Sequence, residues 1–597
     1  MHSHGIYEDE IVGKAYDRKL LWRFAAYLRP YFWIVVSVFC ILPLTTAAKL
    51  AQPWLIKLAI DNHIVRGDLS GLPAIALYFL LLILAESLLS FFEVWLLQYL
   101  GQRVMQDIRL ELFTHVQSLS TSFFDRTPTG SLVTRLTSDV EVLGEMFAAG
   151  IITVVGDIIL LAGIIGVMLW MNLHLSLVTF AVLPLLFWIA FRFRRKMRGA
   201  FRQVRSRLAN LNVFLSESIS GIAIIQLFNR QRSEQEEFSR LNASYRDANM
   251  PVITWDASLY AAVEALSSVA VGLLVWYGAS EILSGLLTFG ALVAFIQYIE
   301  KFFAPIRDLS AKYSVMQGAM AALERIFNLL DCREILPEEM SITSPLMGGG
   351  EGEGEQHIPF ISFRDVWFAY KDNDFVLKAF NLELRQGEKV ALVGETGGGK
   401  TTVTRLLSRL YDVNQGGIEL DGRDLREIPL QSLRQRIGIV LQDPYLFTGS
   451  VEDNICLGDE KARSMVKQAA KVVGADRFIE SLPDGYATAV RERGNNFSAG
   501  ERQLISFARA VAFDPEILVL DEATASVDSE AERLIQRGLN GLMSGRTTLV
   551  VAHRLSTIRD ADRIVVIHRG EKVEEGSHDE LMAAKGVYNR LYQLQFR

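Results

Sequence analysis

Cysteine is scarce in this chain: three residues in 597, Cys40, Cys332 and Cys456, too far apart for a CxxC pair or a metal-ligand spacing. That excludes a disulfide framework and a cysteine-based zinc site, and it suits a reduced compartment. A basic excess is missing too: the net charge is −7, so the chain carries no footprint for nucleic acid. Nor does a small-residue cleavage site follow the first apolar block, which starts near Tyr31 behind Lys14, Arg18, Lys19, Arg23 and Arg29. The block reads as a retained membrane helix, not a signal peptide.

Apolar residues, by contrast, make up 50% of the chain and gather in its first half. Long runs lie near 32–58, 72–100, 147–171, 174–192, 257–280 and 286–306, each close to the ~20 residues that cross a bilayer. The pattern predicts a cytoplasmic N-terminal segment over 1–30 and a six-helix transmembrane domain over 31–330. The connections Asp61–Gly71, Asn172–His174 and Glu281–Gly285 hold one arginine and no lysine, whereas the N-terminal segment, 101–146 and 192–254 carry the basic residues, most of them arginine. The basic side is therefore the cytoplasm, and both termini lie there. The cluster Arg192, Arg194, Arg195, Lys196, Arg198, Arg202, Arg205 and Arg207 reads as a helix end meeting anionic lipid headgroups. The two inner connections keep helical periodicity. Each breaks once, at Ser122–Gly130 and at Gly221–Phe228, where a short cross-piece suits docking on a soluble domain.

Composition changes at Pro337. Residues 337–357, with the glycine-glutamate run inside Ser341–Gln356, read as a flexible linker. From 358 to 597 the apolar runs Ile361–Tyr370, Lys389–Val393, Ile437–Leu441, Ile517–Leu520, Thr547–Val551 and Arg563–Ile567 alternate with helical stretches. This is the order of an α/β domain with a largely parallel sheet and an early antiparallel part.

Within it, Gly394-Glu395-Thr396-Gly397-Gly398-Gly399-Lys400-Thr401-Thr402 follows the run Lys389–Val393 and precedes a helix expected over Thr402–Leu410. Glycines let backbone N–H groups close around phosphate oxygens; Lys400 brings charge to the β/γ-phosphates, and the Thr401 hydroxyl suits Mg²⁺. Ile517–Leu520 ends in Asp521 and Glu522. The first carboxylate suits Mg²⁺ through water, and the second suits polarising the attacking water. Gln442, after Ile437–Leu441, suits Mg²⁺ ligation, and His553, after Thr547–Val551, suits a contact to the γ-phosphate. Tyr370 suits stacking on adenine.

These residues, in this order, resemble the ATP-binding cassette (ABC) exporters over nearly the whole chain. The resemblance implies a type I exporter fold and ATP with Mg²⁺ as cofactors. It makes Tyr370 the aromatic A-loop residue, Gly394–Thr401 the Walker A, Gln442 the Q-loop, Asp521 and Glu522 the Walker B, Ser526-Val527-Asp528 the D-loop and His553 the H-loop. It also implies that ATP lies between two head-to-tail nucleotide-binding domains, each site using the signature of the other. One cassette with six spans is then half a transporter in the cell membrane. The family's Leu-Ser-Gly-Gly-Gln signature stands here as Phe497-Ser498-Ala499-Gly500-Glu501, before a helix expected over Arg502–Ala512. Ser498 and Gly500 keep their donors; Ala499 adds a methyl and Glu501 an anion. That asymmetry resembles the MdlB-like bacterial multidrug-type exporters and implies a second, different half-transporter as partner, a homodimer being the alternative.

Ionisable residues inside spans are costly and point to function: Glu86, Glu93, Asp157, Glu264, Glu300 and Lys301. With Trp54, Trp95 and Trp276 the carboxylates suit a cavity for hydrophobic or amphipathic cations through charge and cation–π contact. The alternatives left open are a lipid flippase and an ATP-gated or regulatory membrane protein of the same architecture.

Overall fold

The computed structural model describes residues 17–68, 70–334, 359–371, 374–521, 529–552 and 555–595. The chain forms two compact units, one from 1–117 and 129–332, the other from 118–128 and 333–597.

The first unit is helical. Among the described residues six helical segments are long and apolar enough to cross a membrane. Phe32–Ala59 and Leu72–Ser118 are continuous; the second has 47 residues and spans about 70 Å, far more than the ~30 Å of a hydrocarbon layer. It is therefore span and arm in one piece, the apolar run 72–100 continuing through Leu100 and Arg109 into the helical connection. The most apolar stretch of that helix buries none of its residues within the chain, an arrangement that lipid tolerates and water does not. The third span is interrupted where the sequence showed one run. Val140–Ala149 and Ile151–Met171 meet at Gly150, where a Cβ would stand 2.1 Å from the Met146 carbonyl oxygen. The fourth is also split, into Leu173–Phe180 and Leu183–Ser220, with Pro184 in the first turn of the second piece, where no intrahelical N–H is needed. Gln231–Leu283 and Phe289–Leu330 complete the unit. Its core includes Ile164, Met168, Leu175, Leu186, Leu274 and Phe295, and the buried Tyr298 satisfies its hydroxyl on the Leu50 carbonyl at 2.6 Å.

The second unit carries twelve described strands: β1 (Ile361–Ala369), β2 (Phe375–Leu384), β3 (Lys389–Gly394), β4 (Gln415–Leu420), β5 (Arg423–Asp424), β6 (Ile437–Val440), β7 (Gly449–Ser450), β8 (Ala489–Val490), β9 (Ile517–Asp521), β10 (Thr547–Val551), β11 (Arg563–His568) and β12 (Glu571–Gly576). An antiparallel sheet runs β2-β1-β4-β5, and a six-stranded sheet runs β12-β11-β3-β10-β9-β6. In the latter every pair is parallel except β11 with β12. β3, β9, β10 and β11 are near-continuous apolar runs buried on both faces, as parallel strands require. β2, β4 and β12 were not expected. β12 holds Glu571, Lys572, Glu574 and Glu575, a composition that only an edge strand tolerates.

Two helix boundaries differ from expectation. The helix after the phosphate loop is Lys400–Leu407, not Thr402–Leu410, because Arg409 turns into the left-handed region at φ 47°. The helix expected over Arg502–Ala512 begins at Ala499, so Ser498 is its N-cap and Ala499, Gly500 and Glu501 form its first turn. The linker 337–357 lies outside the described residues.

Candidate ATP site

The phosphate loop leaves the C-terminal end of β3, between β10 and β11, the edge where open α/β sheets bind ligands. Backbone geometry dictates its glycines. Gly399 has φ 102°, and a Cβ there would stand 2.8 Å from Leu377 Cδ2. On Gly394 a Cβ would meet the Ile567 carbonyl oxygen at 2.1 Å. Glu395, Thr396 and Gly397 form the exposed crest, while Gly398 and Lys400 are buried beneath it.

The Lys400 ammonium bends back over its own loop, donating to the Gly394 carbonyl at 2.7 Å and the Glu395 carbonyl at 2.8 Å. Burial pulls its pKa down, opposed by the charges of Asp521 and Glu395. Two neutral carbonyls are weaker partners for an ammonium than a phosphate oxygen is, so the side chain is poised for exchange. One turn on, the Thr401 hydroxyl donates to Asp521 Oδ1 at 3.5 Å. Residues 120 positions apart thus meet because β9 stands two places from β3 with β10 between. A hydroxyl and a carboxylate oxygen at that separation fit a hard divalent cation.

Tyr370 forms the wall beside the loop. Its hydroxyl lies 3.2 Å from Thr402 Oγ1 and accepts from Arg405 Nη1 at 3.5 Å. Phe368 and Tyr411 pack edge-on against it, with ring centroids 4.8 and 5.2 Å away. Sequence reasoning missed Arg405 and Tyr411; Arg405 lies three residues past Thr402 on the same helix, and that spacing was its only signal.

Gln442 is exposed, two residues past the end of β6. Glu522, Ser526, Asp528 and His553 lie outside the described residues. The signature turn is internally bonded. The Ser498 hydroxyl accepts from the Glu501 amide at 3.3 Å, and the Glu501 carboxylate accepts from the Ser498 amide at 2.7 Å. This capping box turns the Glu501 anion back onto its own helix start. Phe497 and Gly500 are buried below it, and Ala499 is exposed.

In the helical unit Glu86, Asp157 and Lys301 are partnered. Lys301 donates to the Lys49 carbonyl and to Gln52 Oε1, both at 2.9 Å, and Gln52 Nε2 donates to Glu86. Asp157 pairs with Lys312. Glu93 is half-buried, Glu264 and Glu300 are exposed, and Trp95 stacks on Tyr99 at 5.7 Å. Trp54 lies against Trp170 at 5.1 Å, and Trp276 is exposed.

Six apolar helices joined to a P-loop domain of this topology define a membrane-spanning ATPase. The comparisons name the family: residues 34–306 match the ABC transporter transmembrane region and residues 377–525 match the ABC transporter model. The chain belongs to the ABC transporters. It is 38% identical to YknV of Bacillus subtilis (strain 168), an uncharacterized ABC transporter ATP-binding protein, over 98% of this chain and 96% of that one. To the ATP-dependent lipid A-core flippase of Syntrophus aciditrophicus (strain SB) it is 35% identical, over 94% and 92% of the two chains. To YheH of Bacillus subtilis (strain 168), a probable multidrug resistance ABC transporter ATP-binding/permease protein, it is 38% identical, over 84% and 73%. The structure of a bacterial Atm1-family ABC exporter with ATP bound matches with a TM-score of 0.77 at 28% identity, covering 96% of this chain and 99% of that one. The chain is thus a multi-pass exporter of the type I fold that binds and hydrolyses ATP.

Proposed function

We propose that the chain is one half of a heterodimeric exporter that uses ATP to move hydrophobic or amphipathic small molecules out across the cytoplasmic membrane. Its nucleotide-binding domain faces the cytoplasm. In this reading Lys400 contacts the β/γ-phosphates, Tyr370 stacks on the base, and Thr401, Gln442 and Asp521 hold Mg²⁺. Glu522 acts as general base, and His553 contacts the γ-phosphate. Ser526 and Asp528 form the D-loop across the dimer. The observation that carries the reading is the meeting of Thr401 with Asp521 at the mouth of the phosphate loop, half of an ATP site with its parts in reach of one another.

The other half supports the heterodimer. With the Glu501 carboxylate bonded to the Ser498 amide, negative charge occupies the helix N-terminus that an opposing γ-phosphate would approach. The Ala499 methyl stands exposed beside it. Such a signature serves a phosphate poorly, so the productive site joins this chain's Walker motifs to a partner's signature. Purified alone, the chain is expected to hydrolyse ATP slowly. Robust, substrate-stimulated turnover without a partner would replace the heterodimer by a homodimer.

A lipid substrate is the second reading, favoured by the likeness to a lipid A-core flippase over most of both chains. Inverted vesicles separate the two: ATP-dependent accumulation of Hoechst 33342 supports the small-molecule reading. Movement of a fluorescent phospholipid without dye accumulation supports the lipid one.

A further inference from the structure

The cross-piece Thr121–Arg126 belongs to the same compact unit as the ATP site, and three bonds hold it there. The Ser120 amide donates to the Glu334 carbonyl at 2.7 Å, and Arg126 pairs with the Glu334 carboxylate at 2.5 Å. The third bond leads elsewhere: the Tyr411 hydroxyl donates to Asp125. Tyr411 is 8% exposed, whereas Tyr370 keeps 38% of its surface open. The two rings stand perpendicular, at 89° and 5.2 Å between centroids, and Phe368 closes the triangle at 4.8 and 5.7 Å. A packed aromatic triangle has no slack, so a change at one ring is felt at the others. On its far side Tyr370 touches Thr402 and Arg405, both on the helix that follows the phosphate loop.

We propose that Tyr411 is a positioning residue that relays occupancy of the Tyr370 face to the cross-piece through Asp125, so that the nucleotide's base, and not only its phosphates, reports to the first cytoplasmic loop. The inference rests on the reading of Tyr370 as the base-stacking side chain. A base laid on the open face of Tyr370 restrains that ring, the perpendicular Tyr411 ring is fixed in turn, and its hydroxyl holds Asp125. Burial first, and then the bond to Asp125, push the Tyr411 phenol well above its ordinary value. It therefore stays protonated and able to donate throughout any working pH range. Phosphate groups alone reach Lys400 and Thr401 and leave the open face of Tyr370 empty. The cross-piece continues covalently into the helix Leu72–Ser118 on one side and toward Thr129–Thr134 on the other.

Hydrogen–deuterium exchange on the full chain tests the relay. ADP brings a base with phosphates, and inorganic pyrophosphate brings phosphates alone. In the wild type, saturating ADP is expected to slow exchange in 118–128 at least threefold, while pyrophosphate protects 394–401 only. In Tyr411→Phe, which keeps the ring and removes the hydroxyl, ADP is expected to protect 394–401 and leave 118–128 unchanged. Asp125→Asn keeps an acceptor and is expected to retain most of the protection; Asp125→Ala removes the acceptor and is expected to abolish it. These last two address the same bond if Tyr411→Phe folds poorly. Protection of 118–128 that survives in both Tyr411→Phe and Asp125→Ala overturns the relay. Tyr370→Ala isolates the underlying reading: it is expected to weaken ADP binding at least fivefold and pyrophosphate binding not at all. Equal ADP affinity in that variant overturns base stacking itself.

Discussion

The two units keep their charges on opposite terms. In the ATP site the Lys400 ammonium rests on two carbonyls of its own loop, and the Thr401 hydroxyl reaches Asp521 across 3.5 Å. These are weak attachments that a triphosphate and a cation can replace. In the helical unit Lys301 is bonded to Gln52, which is bonded to Glu86, and Asp157 is paired with Lys312. There these four charges answer one another inside the chain. Weak neutral partners leave the Lys400 charge available to a ligand, whereas a low-dielectric layer makes an unpartnered charge expensive. The same residue types are therefore poised in one unit and structural in the other.

Replacing Lys400 should show the largest effect. Lys400→Ala removes a cation aimed at the site of developing charge, and phosphate release is expected to fall by about 10²–10³-fold. A loss below tenfold would mean that the ammonium is as structural as those in the helical unit. Next comes Asp157→Ala. Stranding Lys312 is expected to cost about 3 kcal/mol, since removing one partner leaves a partly buried charge uncompensated. The double change Asp157→Leu with Lys312→Met should restore most of the melting temperature measured in detergent. If it does not, the pair has a role beyond neutralisation.

A third, smaller effect distinguishes carboxylates within the membrane. Glu93→Gln is expected to lower transport of a cationic dye about fivefold, the order of one cation–π or ion contact of roughly 1 kcal/mol. Glu86→Gln should affect transport less and stability more, because Glu86 is already tied through Gln52 to Lys301. Equal transport losses in the two would mean that the tie to Lys301 does not withdraw Glu86 from the substrate path. The smallest effect is an acid titration of the soluble unit. Burial tends to raise the Asp424 pKa, but the Arg426 side chain and amide outweigh it and hold the group below its ordinary 3.8. A depressed carboxylate stabilises the fold above its unfolded pKa and loses that contribution as pH falls through the folded value. Arg426→Ala should therefore shift the onset of acid unfolding slightly upward, as followed by intrinsic fluorescence.

Legibility differed between the units for a physical reason. The phosphate loop could be read because its pattern is local: Gly394, Gly399 and Lys400 lie within seven residues, and Gly399 is demanded by its own backbone at φ 102°. The spans could be read because lipid demands length and apolarity, both visible in one dimension. β12 could not, since its charges make sense only once it is known to lie at a sheet edge. The start of the signature helix was misread by three residues, because Ser498 and Glu501 look like a loop until they close on each other as a cap. Tyr411 carried no signal, being one aromatic residue after a helix.

By itself, then, the sequence determined the six spans, the α/β half, the glycine-rich loop pattern and the strand that ends in Asp521. Each of these is dictated by neighbours within a few residues or by the solvent a segment must match. Tertiary structure alone decided which charges are free. Gln52 lies 34 residues from Glu86 and 249 from Lys301, and Asp157 is 155 residues from Lys312. It also decided that Asp125, 286 residues before Tyr411, accepts from the hydroxyl of a ring packed against Tyr370. Electrostatic compensation and ring packing act through space over a few ångströms, and no local pattern records which distant side chain will fill that space.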